Sequence, residues 1–324
     1  MNPRRLSGPV ICAALVLGGG LRVEAQVTNF GAFRITYFHQ TTNAVQPSAP
    51  DSPKAYVFRA QLFTVNAGDA ANVVVKPPGS RTYNLLYVTP TEVDFDSAYA
   101  PSKSLLDTLF PSGSYQYTIN SGAVAANLTE PAVEMYPGAI PYFTSNTWNL
   151  MQTVDPANAL TLTWNGFTKG AGADSAYAFL RVLDEATGNV PFASGALPAG
   201  TTNYTVPGGT LKYGISYRAE LSFSNRTNNL GAGFGSATAT AGYDYVTYAS
   251  LVTPLPTLKI TYSAPNVILK WPPVPGGFVL ESATQLSPAS VWTTVNNVVM
   301  VAGQPTSTNL ISGAGRIFRL RKGP

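Results

Sequence analysis

The segment TEVDFDS (91–97) places three carboxylates, Glu92, Asp94 and Asp96, at alternate positions. On a strand all three share one face, with Val93 and Phe95 on the other. Such a face could hold a calcium ion, a hard cation that takes oxygen ligands, but no Gly-bent ligand loop follows it. Without that loop a solvated strand face is the plainer reading. Glycoside hydrolysis needs two carboxylates held a set distance apart, and nothing here fixes such a pair. Asp184 and Glu185, in VLDEATGN, sit where Asp, Gly and Asn make a hairpin turn. The chain has one histidine, His39, in ITYFHQTT. A Ser-His-Asp triad would have to use it, yet no nucleophile-elbow sequence accompanies it. One imidazole cannot build an ordinary zinc site. The expectation is therefore no metal, no cofactor and no enzyme.

Aromatic residues are the other candidates, because sugar faces stack on exposed rings. Trp148 (SNTWNL), Trp292 (SVWTTV) and the pair Tyr243 and Tyr245 (GYDYVTY) stand beside polar residues and could serve. Trp164 and Trp271 end alternating apolar runs, LTLTW and VILKW, and read as core. GAGFGSA (231–237) has the look of a nucleotide loop, but it lies between two strands, with no helix N-terminus to hold a phosphate. It reads as a hairpin connection.

The first twenty-five residues have the order of a secretory signal: Arg4 and Arg5, the apolar run Val10–Leu17, then small residues at Val23 and Ala25. Cleavage is expected after Ala25. The apolar run is too short to span a bilayer. Cys12, the only cysteine, leaves with this segment, so no disulfide is expected, which suits bacterial export. The sequons at Asn127, Asn203 and Asn225 then read as chance. Without Arg4, Arg5, Arg22 and Glu24, the 20 basic and 16 acidic residues become 17 and 15. The formal charge falls from +4 to +2, too little to argue for nucleic acid. A charged fraction of only 11%, with 29 Gly, 26 Pro and 17 Tyr, points to an all-β exported protein.

What would position these residues is a repeat. LKYGISYRAEL (211–221) enters a strand whose Tyr217, Ala219, Leu221 and Phe223 share one face, with Arg218, Glu220 and Ser222 on the other. LFPSGSYQYTI (109–119) has the same spacing up to Tyr115, and a degraded copy ends at Phe318 in RIFRLR. The intervals from Tyr115 to Tyr217 and from Tyr217 to Phe318 are 102 and 101 residues, the size of one sandwich. Leu, then Pro or Gly, then Tyr resembles the tyrosine corner of fibronectin type III and related immunoglobulin-like modules. The resemblance implies that each phenol packs inward while its hydroxyl bonds back to the turn. It also implies a Trp ending the second strand, which Trp164 and Trp271 supply. The first repeat has YVFRAQLF (56–63) in that place, and Phe318 carries no hydroxyl.

The expected organisation is a signal peptide (1–25) and tandem immunoglobulin/fibronectin-III-like antiparallel β-sandwiches at 26–143, 144–253 and 254–324. EPAVEMYPGAIPYF (130–143) reads as the exit from the first, and VTPLP (252–256) as a stiff link into the third. The functional expectation is a secreted, periplasmic or surface-located non-catalytic protein with a structural, adhesion or presentation role. Its partner would be a cell-surface polysaccharide or protein, with no membrane span after cleavage. A carbohydrate-binding module using the exposed aromatics is the alternative, and a hydrolase comes last.

Overall fold

The computed structural model describes residues 27–43, 46–79, 81–230, 233–273, 277–311 and 315–323. The expected signal segment and Cys12 lie outside these. Strand makes up about 48% of the chain and helix 6%, so the fold is all-β. Among the described residues no helix is long and apolar enough to cross a membrane.

Chain order gives β1 (Val27–His39), β2 (Tyr56–Thr64), β3 (Val74–Lys76), β4 (Tyr83–Asn84), β5 (Leu86–Thr89), β6 (Glu92–Asp96), α1 (Lys103–Leu109), β7 (Ser114–Ile119) and β8 (Val124–Thr129). Next come α2 (Ser145–Met151), β9 (Leu160–Thr163), β10 (Ser175–Asp184), the short edge pieces β11 (Phe192–Ala193) and β12 (Leu197–Pro198), β13 (Asn203–Val206), β14 (Ser216–Leu230) and β15 (Thr238–Val252). The C-terminal unit holds β16 (Lys259–Ser263), β17 (Asn266–Lys270), β18 (Phe278–Ala283), β19 (Thr293–Thr294), β20 (Val298–Val301), β21 (Gln304–Leu310) and β22 (Ile317–Lys322).

The division expected at residue 143 does not divide the sheets. β1 pairs in parallel with β15 over eleven residues, Asn29 to His39 against Thr238 to Tyr248. One nine-stranded sheet therefore runs β11-β10-β14-β15-β1-β2-β6-β5, with β12 beside β10. The cause is strand length. β14 and β15 have 15 residues each, about 50 Å of chain, more than one sandwich can cover. On one face of β15, Ala249 and Leu251 enter the core of the second unit, whereas Ala239 and Ala241 enter the core of the first. Gly233, at φ +118 in the connecting loop, comes so close to β8 that a Cβ there would lie 1.9 Å from the Ala125 carbonyl oxygen.

Opposite this face, β4-β3-β7-β8 covers the first core and the two-stranded β9-β13 sheet covers the second. Residues 130–143 do more than leave the first unit. They cross the waist between the cores: Asn225 Nδ2 donates to the Met135 carbonyl (3.0 Å) and Thr247 Oγ1 to that of Pro141 (2.6 Å). Tyr136 stacks on Tyr245 at 4.9 Å. At one end of the strap, Glu130 meets Arg34, whose side chain is fully buried. Arg34 Nε and Nη2 each reach a Glu130 carboxylate oxygen at 3.0 Å, Nη1 reaches Asp107 at 3.0 Å and Nη2 the Phe110 carbonyl at 2.7 Å.

The three repeat aromatics seat three different cores. Tyr115 lies in the first, Tyr217 in the second, and Phe318 packs on Leu269, Trp271 and Leu280 in the third. The Tyr115 hydroxyl donates to the Pro111 carbonyl at 2.9 Å, and the Tyr217 hydroxyl accepts from the Lys212 amide at 3.0 Å. Each bond ties a strand to the turn before it. Tyr115→Phe and Tyr217→Phe should each lower stability by about 0.5–1.5 kcal/mol in urea unfolding, the net worth of one such bond. Trp164 is buried, with its indole N–H on the Thr201 carbonyl (2.8 Å), and Trp271 is buried in the third core.

Candidate functional site: the open face of the nine-stranded sheet

No sheet packs on the other face of the nine-stranded sheet among the described residues. Its middle strands place residues there by simple alternation. β14 sends out Arg218, Glu220, Ser222, Ser224 and Arg226, two serines bracketed by long charged side chains. Cross-strand partners continue the pattern: Ser222 faces Val246 and Phe179, and Ser224 faces Asp244, which in turn faces Ile35. Short residues along these rows form the floor of a cavity of about 240 Å³. Arg59 on one side, Arg181 on the other and Arg226 at one end rise as its walls.

Most of these charges are paired. Arg59 holds Asp96 through two bonds of 2.6 and 2.8 Å. Arg181 and Arg218 both hold Glu220, at 2.6 and 2.7 Å. Arg226 differs. Its guanidinium lies 4.8 Å from the Phe33 ring centre and 5.5 Å from that of Phe179, with Nε on Ser224 Oγ at 3.1 Å. Among the described residues its Nη groups have no hydrogen-bond partner. Gly242 makes the stack possible, since a Cβ there would sit 2.1 Å from the Phe33 ring.

Asp244 lies on the floor beside Arg226. Its Oδ1 is shut off from solvent and has no partner among the described residues. Burial raises its pKa from the ordinary aspartate value, with Arg226 and Ser224 pulling the other way. Burial also pushes the Tyr37 hydroxyl up to about 12, so this wall stays a neutral donor. A carboxylate whose folded pKa is raised favours folding most below its unfolded pKa, and that contribution is lost as pH rises through the folded value. Asp244→Asn should therefore raise the melting temperature at pH 7, with the gain fading as pH drops through the carboxylate range. A lower melting temperature at pH 7 would contradict this.

The residues singled out from the sequence lie elsewhere or are already engaged. Glu92, Asp94 and Asp96 do share one face, but Asp96 is held by Arg59 and Asp94 accepts from Gln61 at 3.0 Å. Among the described residues no group of three or more His, Cys, Asp or Glu could hold a metal ion. Asp184 caps its own turn, accepting from the amides of Ala186 and Thr187. His39 is exposed and stacks on Tyr248 at 4.5 Å. Trp148 sits on α2 and packs on the second core rather than standing free. Tyr243 is fully buried, edge-on to Tyr136, because the strap covers it; Tyr245 stacks on the same ring. Trp292 lies under the Arg319 guanidinium at 4.0 Å. Asn225 is buried, whereas Asn127 and Asn203 are exposed.

No protein-family model matches the chain, and no curated protein registers as a relative. Among solved structures it is similar to chicken CNTN1 FN1-FN3 domains, at 10% identity and TM-score 0.21, covering 82% of this chain and 94% of that one. A tetra-tandem repeat from the extending region of a large adhesion protein matches at 12% and TM-score 0.22, covering 90% of this chain and 66% of that one. The BSP domain of a biofilm associated protein matches at 8% and 0.21, covering 92% and 64%. The chain thus spans about two thirds of the latter two. At that level the likeness adds nothing to what the strands themselves show.

Arg59, Arg181, Arg226 and Asp244 were not singled out by sequence. The signal was present on β14, where outward positions read Arg, Glu, Ser, Ser, Arg. Two short residues between long ones on a strand face leave a depression.

Proposed function

We propose that the chain is an exported, non-catalytic protein of adhesion or presentation that binds through the open face of its nine-stranded sheet. The observation that carries this is the cavity at the centre of that face, where Asp244 stands beside an arginine whose Nη groups have no partner among the described residues. The remaining strands serve as scaffold: two cores brace the opposite face, and the third unit extends the molecule. The basic n-region and short apolar run of residues 4–17 support export.

The test is retention of the mature chain on insoluble polysaccharides and on cell-surface protein, beside a hydrolysis screen on the same materials. Retention that falls with Arg181→Glu, with no hydrolysis, is the expected result. Turnover of any of these substrates, or no retention on any surface, would sink the reading.

A further inference from the structure

We propose that the cavity on the open face takes one neutral pyranose unit of a glycan. This deepens the adhesion reading and rests on it for the place of binding. The argument begins with size. At about 240 Å³ the cavity is smaller than the roughly 300–1,000 Å³ of pockets for drug-sized ligands, so it suits one sugar ring.

Charge comes next. Arg59 is paired with Asp96, and Arg181 shares Glu220 with Arg218, so neither wall guanidinium is without a carboxylate partner. What remains at the end of the cavity is the Asp244 carboxylate beside the donors of Arg226. A hydroxyl group both donates and accepts. Two neighbouring hydroxyls on a ring can therefore donate to the part of the Asp244 carboxylate that lines the cavity and accept from Arg226 Nη together. Being held by its stack on Phe33 and its bond to Ser224, Arg226 gives up little freedom on binding.

The apolar side of the ring also has a place. Ile35, Val246 and Phe179 line the same cavity, and the C–H face of a pyranose can lie against them while its hydroxyl edge meets the charged pair. These residues come from β1, β15 and β10, and Arg226 from β14. The site therefore exists only because the first two units share a sheet.

The test is titration of the mature chain with the methyl glycosides of glucose, galactose and mannose, followed by amide chemical shifts. At least one should give saturable shifts around Ser222 and Asp244. Asp244→Asn should weaken it by about tenfold, the loss of one charge-assisted bond, while the variant melts higher than the parent at pH 7. That rise shows the loss is not unfolding. Ser222→Phe, which fills the floor, should abolish the shifts.

Saturation by none of the three glycosides, or equal affinity in both variants, would overturn the assignment. So would saturation by glycine or leucine in place of the sugars, since a zwitterion could also bridge Arg226 and Asp244. Should retention on surfaces respond to Arg181→Glu while every glycoside titration stays flat, the adhesion reading stands and the sugar assignment falls. Glycoside binding without retention on any surface would do the reverse.

Discussion

Replacing Arg34 by methionine should lower the free energy of unfolding by about 3–5 kcal/mol in urea denaturation. The side chains of Arg34 and Glu130 are 0% and 1% exposed, so the variant leaves a carboxylate in the protein interior with its main partner gone. Burial already raises the Glu130 pKa, with Arg34 as the largest influence opposing it. The double variant Arg34→Met with Glu130→Leu should recover most of the loss, because a buried ion pair exchanged for packed apolar groups is often neutral. A single-variant loss under about 1 kcal/mol would mean the pair is not what fastens the strap. The same experiment tests the shared sheet. All four tryptophans, Trp148, Trp164, Trp271 and Trp292, lie beyond residue 143, so none reports on the unit that is mutated. If β1 and β15 unite the first two units, Trp164 emission should shift its midpoint along with the whole transition.

The second large effect is loss of folding. A fragment of residues 26–143, the first unit as its sequence suggests it, should not fold alone, and one of 26–253 should. Cutting at 143 removes β15 from the edge of β1 and strips Phe234, Ala237, Ala239 and Ala241 from the first core. What remains is two four-stranded sheets in which β1, formerly central, has become an edge strand with one side unpaired. Amide proton dispersion decides it: a well-spread spectrum for the short fragment would refute the argument.

Local patterns were legible in the sequence. Alternation along 217–223 placed Tyr217, Ala219, Leu221 and Phe223 inward, as they are. The repeat spacing located an aromatic in each core, and the Leu-Gly-Tyr pattern anticipated the hydroxyl-to-turn bonds. Pairing between distant segments was not legible. Nothing in residues 27–39 marks 238–252 as their neighbour, because a parallel ladder is made of backbone groups every residue carries. The same gap hid the site. Asp244 stands in GYDYVTY, where the two tyrosines drew notice, yet they face the strap while the aspartate between them faces the cavity.

The parallel ladder also has a consequence for how this chain reaches its final form. β1 is synthesised well before its partner β15, with some two hundred residues between them. Until then β1 carries oily side chains on both surfaces, Phe30 and Ala32 on one and Phe33 and Ile35 on the other, with one flank open to any passing strand. The first two units cannot be completed like beads leaving a thread. They close together and late, and the unfinished chain must be kept from its neighbours until they do.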